Sequence, residues 1–474
     1  MKKIFTILSL TLILMMGITN AQTHLWGTCA SGGTLGYGTI FKADSNGNNL
    51  STVYEFDDVN GRTPIGNMLL APNGKIYGVT VLGGCNDSCV IYEYDRVTHT
   101  NIDVFDFYCN YGSSTPADGM ILGIDGLLYG LTPGGGTYGY GYLYRFNTVT
   151  HICDTIYNFN NYTPMGCSPG GKLLQINNKF YGTAEFGGTT GNGVIFCFDL
   201  STSVYSVLHT FNNTDGRNPY YGNLIFGNDG KLYGTTQQGG TYTYGVIFSY
   251  DTVANIYSNV YNFDNTHGGN PFGSLISATD GKLYGITNRG GLHNGGVIFN
   301  YTISDSTYAD VFDFDTASGI NPYRGLMQGS NGLLYGTTYN GGSNNYGTFF
   351  SYNISSNIHS VLYNFDNGVN GGNPNCDIAE FPDSLTSGIK QISNKESITI
   401  YPNPATTTIT LHSLIPISNP QSLTITDILG NEVYHQPINN SNNQSIDVSQ
   451  WSDGVYFYQL KNNMETVRGK FVKE

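Results

Sequence analysis

The stretch Lys231-Leu232-Tyr233-Gly234-Thr235-Thr236 decides the fold, because the chain repeats it. Its aromatic-Gly pair recurs in steps of 51 or 52 residues, at Trp26-Gly27, Tyr77-Gly78, Tyr129-Gly130, Tyr181-Gly182, Tyr233-Gly234, Tyr284-Gly285 and Tyr335-Gly336. A Gly-Gly pair begins six positions after each aromatic residue, and further aromatic residues follow 15 and 30 positions after it. Seven copies in phase identify a tandem-repeat protein.

Each repeat carries four short β-strand patterns. In one copy, alternating apolar and polar residues separated by turn signals cover residues 271–277, 282–287, 297–301 and 309–314. No stretch combines helical periodicity with helix caps. Four strands in each of seven copies predict an all-β fold, a seven-bladed β-propeller over residues 22–382. A β-solenoid is the competing repeat fold, but its coils are usually shorter, about 20–30 residues.

The two ends of the repeat region predict how the ring closes. The first copy begins at Leu25 without the inner strand of the other copies, and residues 373–381 resemble that missing strand. We therefore expect the last strand to complete the first blade. The register of the other copies places Cys376 opposite Cys29, which predicts a disulfide across this clasp, with two unpaired thiols as the alternative.

The remaining cysteines give weaker signals. Cys85 and Cys89 share one loop and could close a small bridge, whereas Cys109, Cys153, Cys167 and Cys197 stay unassigned. Their spacing does not match a zinc site, and no phosphate-binding loop follows a strand. We therefore predict neither a metal nor a cofactor, although the acidic loop 44–48 carries part of a calcium ligand set.

Composition narrows the class of partner. Only 11% of the 474 residues are charged, while Gly numbers 63 and Tyr 37, which fits an all-β protein with many turns. The formal net charge of −14 disfavours binding to nucleic acid, whose phosphates repel an acidic surface.

The N-terminus reads as a secretory signal peptide, residues 1–21. Two lysines precede an apolar run from Ile4 to Ile18, and Thr19-Asn20-Ala21 offers small residues for cleavage. The run is shorter than the ~20 residues that a membrane span needs, so a retained anchor is the weaker alternative. We predict no transmembrane segment in the mature chain.

A second domain follows the repeats. The repeat signal stops at a polar linker, residues 383–396, and six β patterns in residues 397–474 predict a small C-terminal β-sandwich. Its motifs are Ile400-Tyr401-Pro402-Asn403-Pro404-Ala405, Ile425-Thr426-Asp427-Ile428-Leu429-Gly430-Asn431, Gly454-Val455-Tyr456-Phe457 and Lys470-Phe471-Val472.

These motifs closely resemble the type A C-terminal sorting domain of the type IX secretion system of Bacteroidetes. The resemblance implies that residues 397–474 are the part handled by the type IX secretion machinery. It also implies an extracellular or outer-surface location after the tail is removed, with the protein either released or anchored. An ordinary fibronectin-like adhesive domain is the alternative.

The repeats resemble the GloVer-type tandem repeat. The core of that repeat is Leu-Tyr-Gly-Thr-Thr, then Gly-Gly, then Gly-x-Ile-Phe, and residues 232–236 and 334–338 match it best. The resemblance covers residues 25–374 and implies an architecture without a settled activity.

Catalytic patterns are weak. Gly166-Cys167-Ser168-Pro169-Gly170 has the Gly-x-Ser-x-Gly form, but it lies between two β-strands and not before a helix. Acidic residues recur beside the repeated Phe, at Asp57, Asp58, Asp264, Asp313 and Asp315. Recurrence in several copies favours turn capping over the one-off carboxylate pair of a glycosidase. We therefore name no catalytic residue.

Residues that differ between copies are better ligand-binding candidates. They lie in the loops after the second strand and between blades, which should share one face of the ring, where scaffold loops carry function. The candidates are Tyr138, Tyr140, Arg217, Asn218, Tyr242, Tyr244, His267, Asn270, His293, Asn294, Asn321, Arg324, Tyr339, Asn344 and Tyr346. Tyr and Asn suit sugar rings and peptide edges. We expect a non-enzymatic module that binds a glycan or a surface protein, with a polysaccharide-degrading enzyme or a structural surface component as alternatives.

Overall fold

The structure, a computed structural model, divides into two compact units, Met1–Leu385 and Thr386–Glu474. It describes residues 23–84, 87–107, 118–161, 164–220, 222–382, 398–401, 406–413, 421–427, 432–438, 443–461 and 466–473. Each unit is described by itself.

The described residues of the first unit form seven antiparallel sheets, which we call blades 1 to 7. Blade 1 contains β1 (Thr23–Ser31), β2 (Thr39–Asp44), β3 (Ser51–Glu55), β28 (Gly372–Pro374) and β29 (Ala379–Pro382). Blade 2 contains β4 (Arg62–Leu70), β5 (Ile76–Leu82), β6 (Val90–Asp95) and β7 (Thr100–Asp106); blade 3 contains β8 (Ile121–Leu122), β9 (Leu128–Thr132), β10 (Tyr142–Phe146) and β11 (Cys153–Asn158).

The other four blades repeat this up-and-down order. Blade 4 contains β12 (Gly166–Ile176), β13 (Lys179–Gly187), β14 (Val194–Asp199) and β15 (Val204–Thr210); blade 5 contains β16 (Ile225–Phe226), β17 (Leu232–Thr236), β18 (Val246–Asp251) and β19 (Ile256–Asn262). Blade 6 contains β20 (Ile276–Ser277), β21 (Leu283–Ile286), β22 (Val297–Thr302) and β23 (Thr307–Asp313); blade 7 contains β24 (Met327–Gln328), β25 (Leu334–Thr338), β26 (Thr348–Asn353) and β27 (Ile358–Asn364).

The glycine of each aromatic-Gly pair admits a ring from the neighbouring strand. Gly234 pairs with Phe248, and a Cβ added to Gly234 would lie 2.6 Å from Phe248 Cζ. The equivalent closest distances in the other six blades range from 2.2 to 2.6 Å. Any larger residue would collide with the ring. This close approach explains why each pair contains a glycine and why an aromatic residue follows the pair at a fixed spacing.

A ring of aromatic pairs joins each blade to the next. The Phe that follows the fourth strand of one blade meets the aromatic residue of the third strand in the next blade, with ring centroids 5.2 to 5.5 Å apart. The pairs are Phe56–Tyr92, Phe107–Tyr144, Phe159–Phe196, Phe211–Phe248, Phe263–Phe299, Phe314–Phe350 and Phe365–Phe41. The last pair returns from blade 7 to blade 1, so the ring is closed by the same contact that builds it.

The predicted clasp between the chain ends is confirmed. Strand β1 pairs with β28 through Cys29–Pro374 and with β29 through Trp26–Ala379 and Thr23–Pro382. Blade 1 therefore takes strands from both ends of the repeat region, and the all-β seven-bladed propeller is the observed fold.

The predicted Cys29–Cys376 disulfide is absent, since both thiols are free and buried. Three residue steps along β1, from Cys29 to Trp26, face five steps on the clasp, from Pro374 to Ala379, so the clasp bulges. Cys376 lies in this bulge, where its Sγ accepts a hydrogen bond from Thr28 N at 3.0 Å. Burial raises the pKa of Cys376 to about 12. The predicted register failed because it assumed a regular hairpin.

The described residues of the second unit form two sheets. The first contains β30 (Ile398–Tyr401), β31 (Thr408–Ser413) and β34 (Asn443–Asp447), and the second contains β32 (Gln421–Thr426), β33 (Glu432–Ile438), β35 (Gly454–Lys461) and β36 (Thr466–Lys473). Ile409 and Ile446 of one sheet share a core with Leu423, Ile425 and Tyr456 of the other, which confirms the predicted β-sandwich. The predicted signal peptide, the whole linker, Cys85 and Cys109 lie outside the described residues.

Candidate functional site

One end of the propeller carries the seven Gly-Gly loops, which join the second strand of each blade to the third, and the connections between blades. We call this end the loop face. The two kinds of loop contact each other, as where Arg217 and Gln238 exchange backbone hydrogen bonds at 2.8 and 3.2 Å. Side chains at the end of the fourth strand hold the Gly-Gly loops, since Asn158, Asn262 and Asn364 accept from the loop N–H groups of Thr137, Thr241 and Ser343 at 2.8–2.9 Å. The loops are therefore fixed platforms.

Five of the predicted tyrosines point out of these platforms. Tyr138 is 51% exposed and Tyr140 40% in blade 3, Tyr242 is 55% and Tyr244 37% in blade 5, and Tyr346 is 38% in blade 7. His293, Asn294 and Asn344 are also exposed on the same loops. Exposed aromatic side chains on a rigid loop offer flat apolar faces at low entropic cost, as binding surfaces require.

Three predicted asparagines have partners within the ring. Asn218, Asn270 and Asn321 each precede a proline with φ between 51° and 55°. Their backbone N–H groups donate to the Gly-Gly loop of the preceding blade at 2.8–3.0 Å, and their side-chain amides donate to Glu185, Gln237 and Asn288 of that blade at 3.0–3.3 Å. These contacts join neighbouring blades. In the sequence, the recurrence of Asn-Pro at this position indicates them.

The remaining loop-face candidates differ in exposure. Arg217 is exposed and its guanidinium donates to the Gln238 side chain. His267 is exposed, and its hydrogen bond to Asp264 at 3.0 Å raises the pKa of the imidazole. Tyr339 is half-buried and packs edge-to-face on Tyr323 with centroids 5.3 Å apart.

The recurrent carboxylates cap turns. Asp57 accepts from Asn60 N at 2.9 Å, Asp264 from His267 N at 2.8 Å and Asp315 from Ser318 N at 2.7 Å. Asp313 accepts from the Gly-Gly loop at Leu292 N, at 2.6 Å. The Gly-x-Ser-x-Gly string lies in β12, and its serine donates its backbone N–H to Tyr140 O at 3.0 Å. These residues serve as connections within the ring.

Arg324 is not on the loop face, where sequence reasoning placed it. It is buried at the axis of the ring, and its Nη1 lies 2.6 Å from Asp118 Oδ1, with both side chains no more than 4% exposed. A second ion pair joins Lys172 to Asp377. Blade 7 carries Arg324 and blade 3 carries Asp118, while blade 4 carries Lys172 and blade 1 carries Asp377. Each ion pair therefore joins blades that are three positions apart around the ring, and the two pairs together occupy the centre of the ring.

Neutral groups complete this axial cluster. Asn375 accepts from Arg324 Nε at 2.7 Å, and Gly325 N donates to Asp377 Oδ1 at 2.8 Å. Asn223 donates to Asp118 Oδ2 at 3.4 Å and to the Ser274 hydroxyl. Burial raises the pKa of Asp118 although the Arg324 guanidinium opposes it. Burial also acts to raise the pKa of Asp377, but the Lys172 ammonium, the Arg324 guanidinium and the Gly325 N–H together outweigh it and lower that pKa.

The sequence signal for this cluster was a pair of adjacent repeat positions with dissimilar occupants. The first position holds Gly66, Asp118, Gly171, Gly222, Gly273, Arg324 and Cys376, and the second holds Asn67, Gly119, Lys172, Asn223, Ser274, Gly325 and Asp377. Sequence reasoning also missed Phe272 and Tyr323, which follow the repeated proline. Their rings pack with centroids 5.4 Å apart, and Tyr323 directly precedes Arg324 in the sequence.

Within the described ranges, no group of three or more His, Cys, Asp or Glu side chains is arranged to hold a metal ion. No helix in that part of the chain is long and apolar enough to span a bilayer.

Solved structures with a similar fold are propeller-like. A candidate 6-phosphogluconolactonase from Bacteroides uniformis is 13% identical with a TM-score of 0.53, over 76% of this chain and 99% of that one. A second, from Bacteroides fragilis, is 13% identical with a TM-score of 0.50, over 77% and 99%. TolB from Acinetobacter baumannii is 17% identical with a TM-score of 0.39, over 60% of this chain and 62% of that one. No curated protein matches the chain. At these identities the likeness concerns the fold alone.

Family profiles match nearly the whole chain. The Gloeobacter/Verrucomicrobia repeat matches residues 14–184 and 168–400. The secretion system C-terminal sorting domain matches residues 399–474, which indicates export by type IX secretion to the cell surface or the extracellular space. The chain belongs to the Gloeobacter/Verrucomicrobia repeat family and ends in a type IX secretion sorting domain.

Proposed function

We propose that the propeller is a non-enzymatic binding module that recognises a glycan or a surface protein through its loop face. The observation that carries this proposal is the set of exposed tyrosines on the Gly-Gly loops of blades 3, 5 and 7. A tyrosine combines an apolar ring with a hydrogen-bonding tip, so it can cover the face of a sugar ring or a peptide edge.

The fixed geometry of the loops supports a binding role. The side chain of Asn262 holds the loop that carries Tyr242 and Tyr244, and Tyr244 O accepts from Asn270 N of blade 6 at 2.8 Å. A platform that is ordered before binding loses little conformational entropy when a ligand arrives.

The axial charges favour binding over acid–base catalysis. Asp118 and Asp377 are the buried carboxylates of the axis, and each is neutralised by a cation of an opposite blade. A carboxylate held in such a pair is a poor general acid or base, since transferring its proton would break the pair.

The experiment is a glycan-array screen of the full chain, followed by affinity measurement on the best hit. The double variant Tyr242→Ala/Tyr244→Ala should weaken binding by about tenfold or more, because two aromatic contacts are lost. Phe226→Ala is the matched control, since Phe226 is 48% exposed at the other end of the same blade and should leave affinity unchanged.

Three results would contradict the proposal. Equal affinity in the double variant and the parent would exclude the blade 5 platform. A blank array, together with no partner captured from the surface of the producing cells, would leave the face without a ligand. Turnover of an array hit by the purified chain would replace the binding role with an enzymatic one.

A further inference from the structure

A cavity of about 340 Å³ lies between blades 4 and 5, at the end of the propeller opposite the loop face. Its walls include Lys179 and Tyr181 of β13, Cys197 and Asp199 of β14, and Thr252 and Asn255 of the turn after β18. A volume of this size lies within the range of small-molecule sites. The cavity is separate from the tyrosines of the loop face.

Other blades fill the equivalent position with their own carboxylate. In blades 3, 5 and 6, the hydroxyl of the repeated Tyr donates to an Asp four residues earlier, in the turn after the first strand. The pairs are Tyr129–Asp125 at 2.7 Å, Tyr233–Asp229 at 3.0 Å and Tyr284–Asp280 at 2.9 Å. The phenol therefore has a carboxylate acceptor in three of the blades, whereas Asn73 and Asn331 occupy this position in blades 2 and 7 and donate to the hydroxyl of their Tyr.

Blade 5 adds a cation to this arrangement. Lys231 Nζ lies 3.4 Å from Asp229 Oδ2, so one carboxylate receives both an ammonium group and a phenol. Lys231 directly precedes β17 and Tyr233 follows two residues later, so extended backbone directs both side chains to the same face of the sheet.

Blade 4 keeps the two donors but lacks the carboxylate. Lys179 and Tyr181 occupy the positions of Lys231 and Tyr233, 52 residues earlier. Strands β12 and β13 are joined by only Asn177 and Asn178, and the position four residues before Tyr181 is Asn177, which carries no carboxylate. The Tyr181 hydroxyl instead bonds to the Cys197 thiol, and a thiol is a weak acceptor.

We propose that this cavity binds a small organic carboxylate, whose acidic group takes the place in blade 4 that an Asp side chain fills in blades 3, 5 and 6. Lys179 supplies the countercharge, Tyr181 donates a hydrogen bond, and the remaining volume accommodates the rest of the acid. The proposal does not depend on the proposed function of the loop face.

Asp199 does not stand in for the missing group. Its carboxylate accepts the N–H groups of Ser201 and Thr202 at 2.9 and 3.3 Å within its own turn. In blade 5 the equivalent Asp251 accepts from its own turn in the same way, at 2.9 and 2.8 Å, and the same blade also carries Asp229. A ligand carboxylate can therefore bind near Asp199, because the turn already supplies the hydrogen bonds of the Asp199 carboxylate.

The test is saturation-transfer NMR of the full chain with acetate, propionate, succinate and glucuronate, at constant ionic strength. We expect a saturable signal for at least one acid and none for its methyl ester. Lys179→Met should weaken the affinity about tenfold, the size expected for losing one charge-assisted hydrogen bond, and Tyr181→Phe should weaken it several-fold. Tyr233→Phe, which alters the filled position of blade 5, is the matched control and should not change it.

Two results would overturn the proposal. The first is the absence of a saturable signal with all four acids. The second is an unchanged isotherm in Lys179→Met and Tyr181→Phe, which would show that the acid binds elsewhere. Circular dichroism and the thermal midpoint of each variant establish that the ring is folded, so that a lost signal reports the site and not unfolding.

Discussion

A missing Cβ sets how closely two strands of a blade approach. Gly234 faces the ring of Phe248, so Gly234→Ala should destabilise the propeller by about 1–3 kcal/mol through overpacking. The measurement is the urea midpoint of the full chain. Combining the change with Phe248→Leu removes the ring that the new methyl group meets, so the double variant should lose less than the sum of the two single losses. Strict additivity would mean that the close approach is not the reason for the glycine.

Strand β27 contains a histidine where three other blades carry a tyrosine. His359 occupies the position of Tyr205, Tyr257 and Tyr308, and its ring stacks on Phe312 of blade 6 with centroids 4.0 Å apart. Burial lowers the pKa of His359 from 6.5 to about 4, with Asp315 opposing the shift. The unfolded chain therefore binds the proton more tightly between these two pH values.

Stability should fall as pH is lowered through that window. The expected loss of unfolding free energy between pH 6.5 and 4 is up to about 3 kcal/mol. His359→Tyr, which restores the residue of the other blades, should remove this part of the pH dependence. The urea midpoint measured at several pH values in this range tests it. The same slope in the variant and the parent would place the titrating group elsewhere.

Repeated elements were predictable from the sequence because each blade presents the same pattern to its neighbour. The phase of Tyr233, Phe248 and Phe263 fixes a strand, its partner and the contact with the next blade, so seven copies predict the ring. The absence of the Cys29–Cys376 bridge was not predictable in this way, because the bulge of two residues that separates the cysteines occurs once and no repeat reveals it.

The axial site was harder to predict, because its pairs form between blades that are not neighbours. Arg324 and Asp118 are 206 residues apart, and Lys172 and Asp377 are 205 apart. Each repeat contains at most one of these four charged residues. Pairing the residues requires knowing that the inner positions of all blades converge on one axis. Arg324 was therefore assigned to a loop. Its repeat position is occupied by Gly66 in blade 2 and by Cys376 in blade 1, and these dissimilar occupants were the available sign that the position is not part of the repeated core.

At the scale of the whole molecule, the axial ion pairs hold opposite blades together. Arg324→Met leaves the Asp118 charge buried without its partner and should destabilise the ring by about 3–5 kcal/mol. The double variant Arg324→Met/Asp118→Asn removes the stranded charge and should recover part of that loss. The thermal midpoint of the full chain is the measurement. A double variant less stable than Arg324→Met would show that Asp118 contributes mainly through its other partners.

The clasp of blade 1 also sets the order in which the molecule can be completed. A chain synthesised from its N-terminus exposes β1 early, yet the partner of Thr23 is Pro382. Until that distant segment has emerged, the first blade keeps an unpaired edge and the ring stays open. Such non-local pairing forms slowly, because a long stretch of chain must be closed before the contact is made. The ring therefore closes only when the last strand pairs with β1, so the C-terminal segment of the repeat region completes the fold.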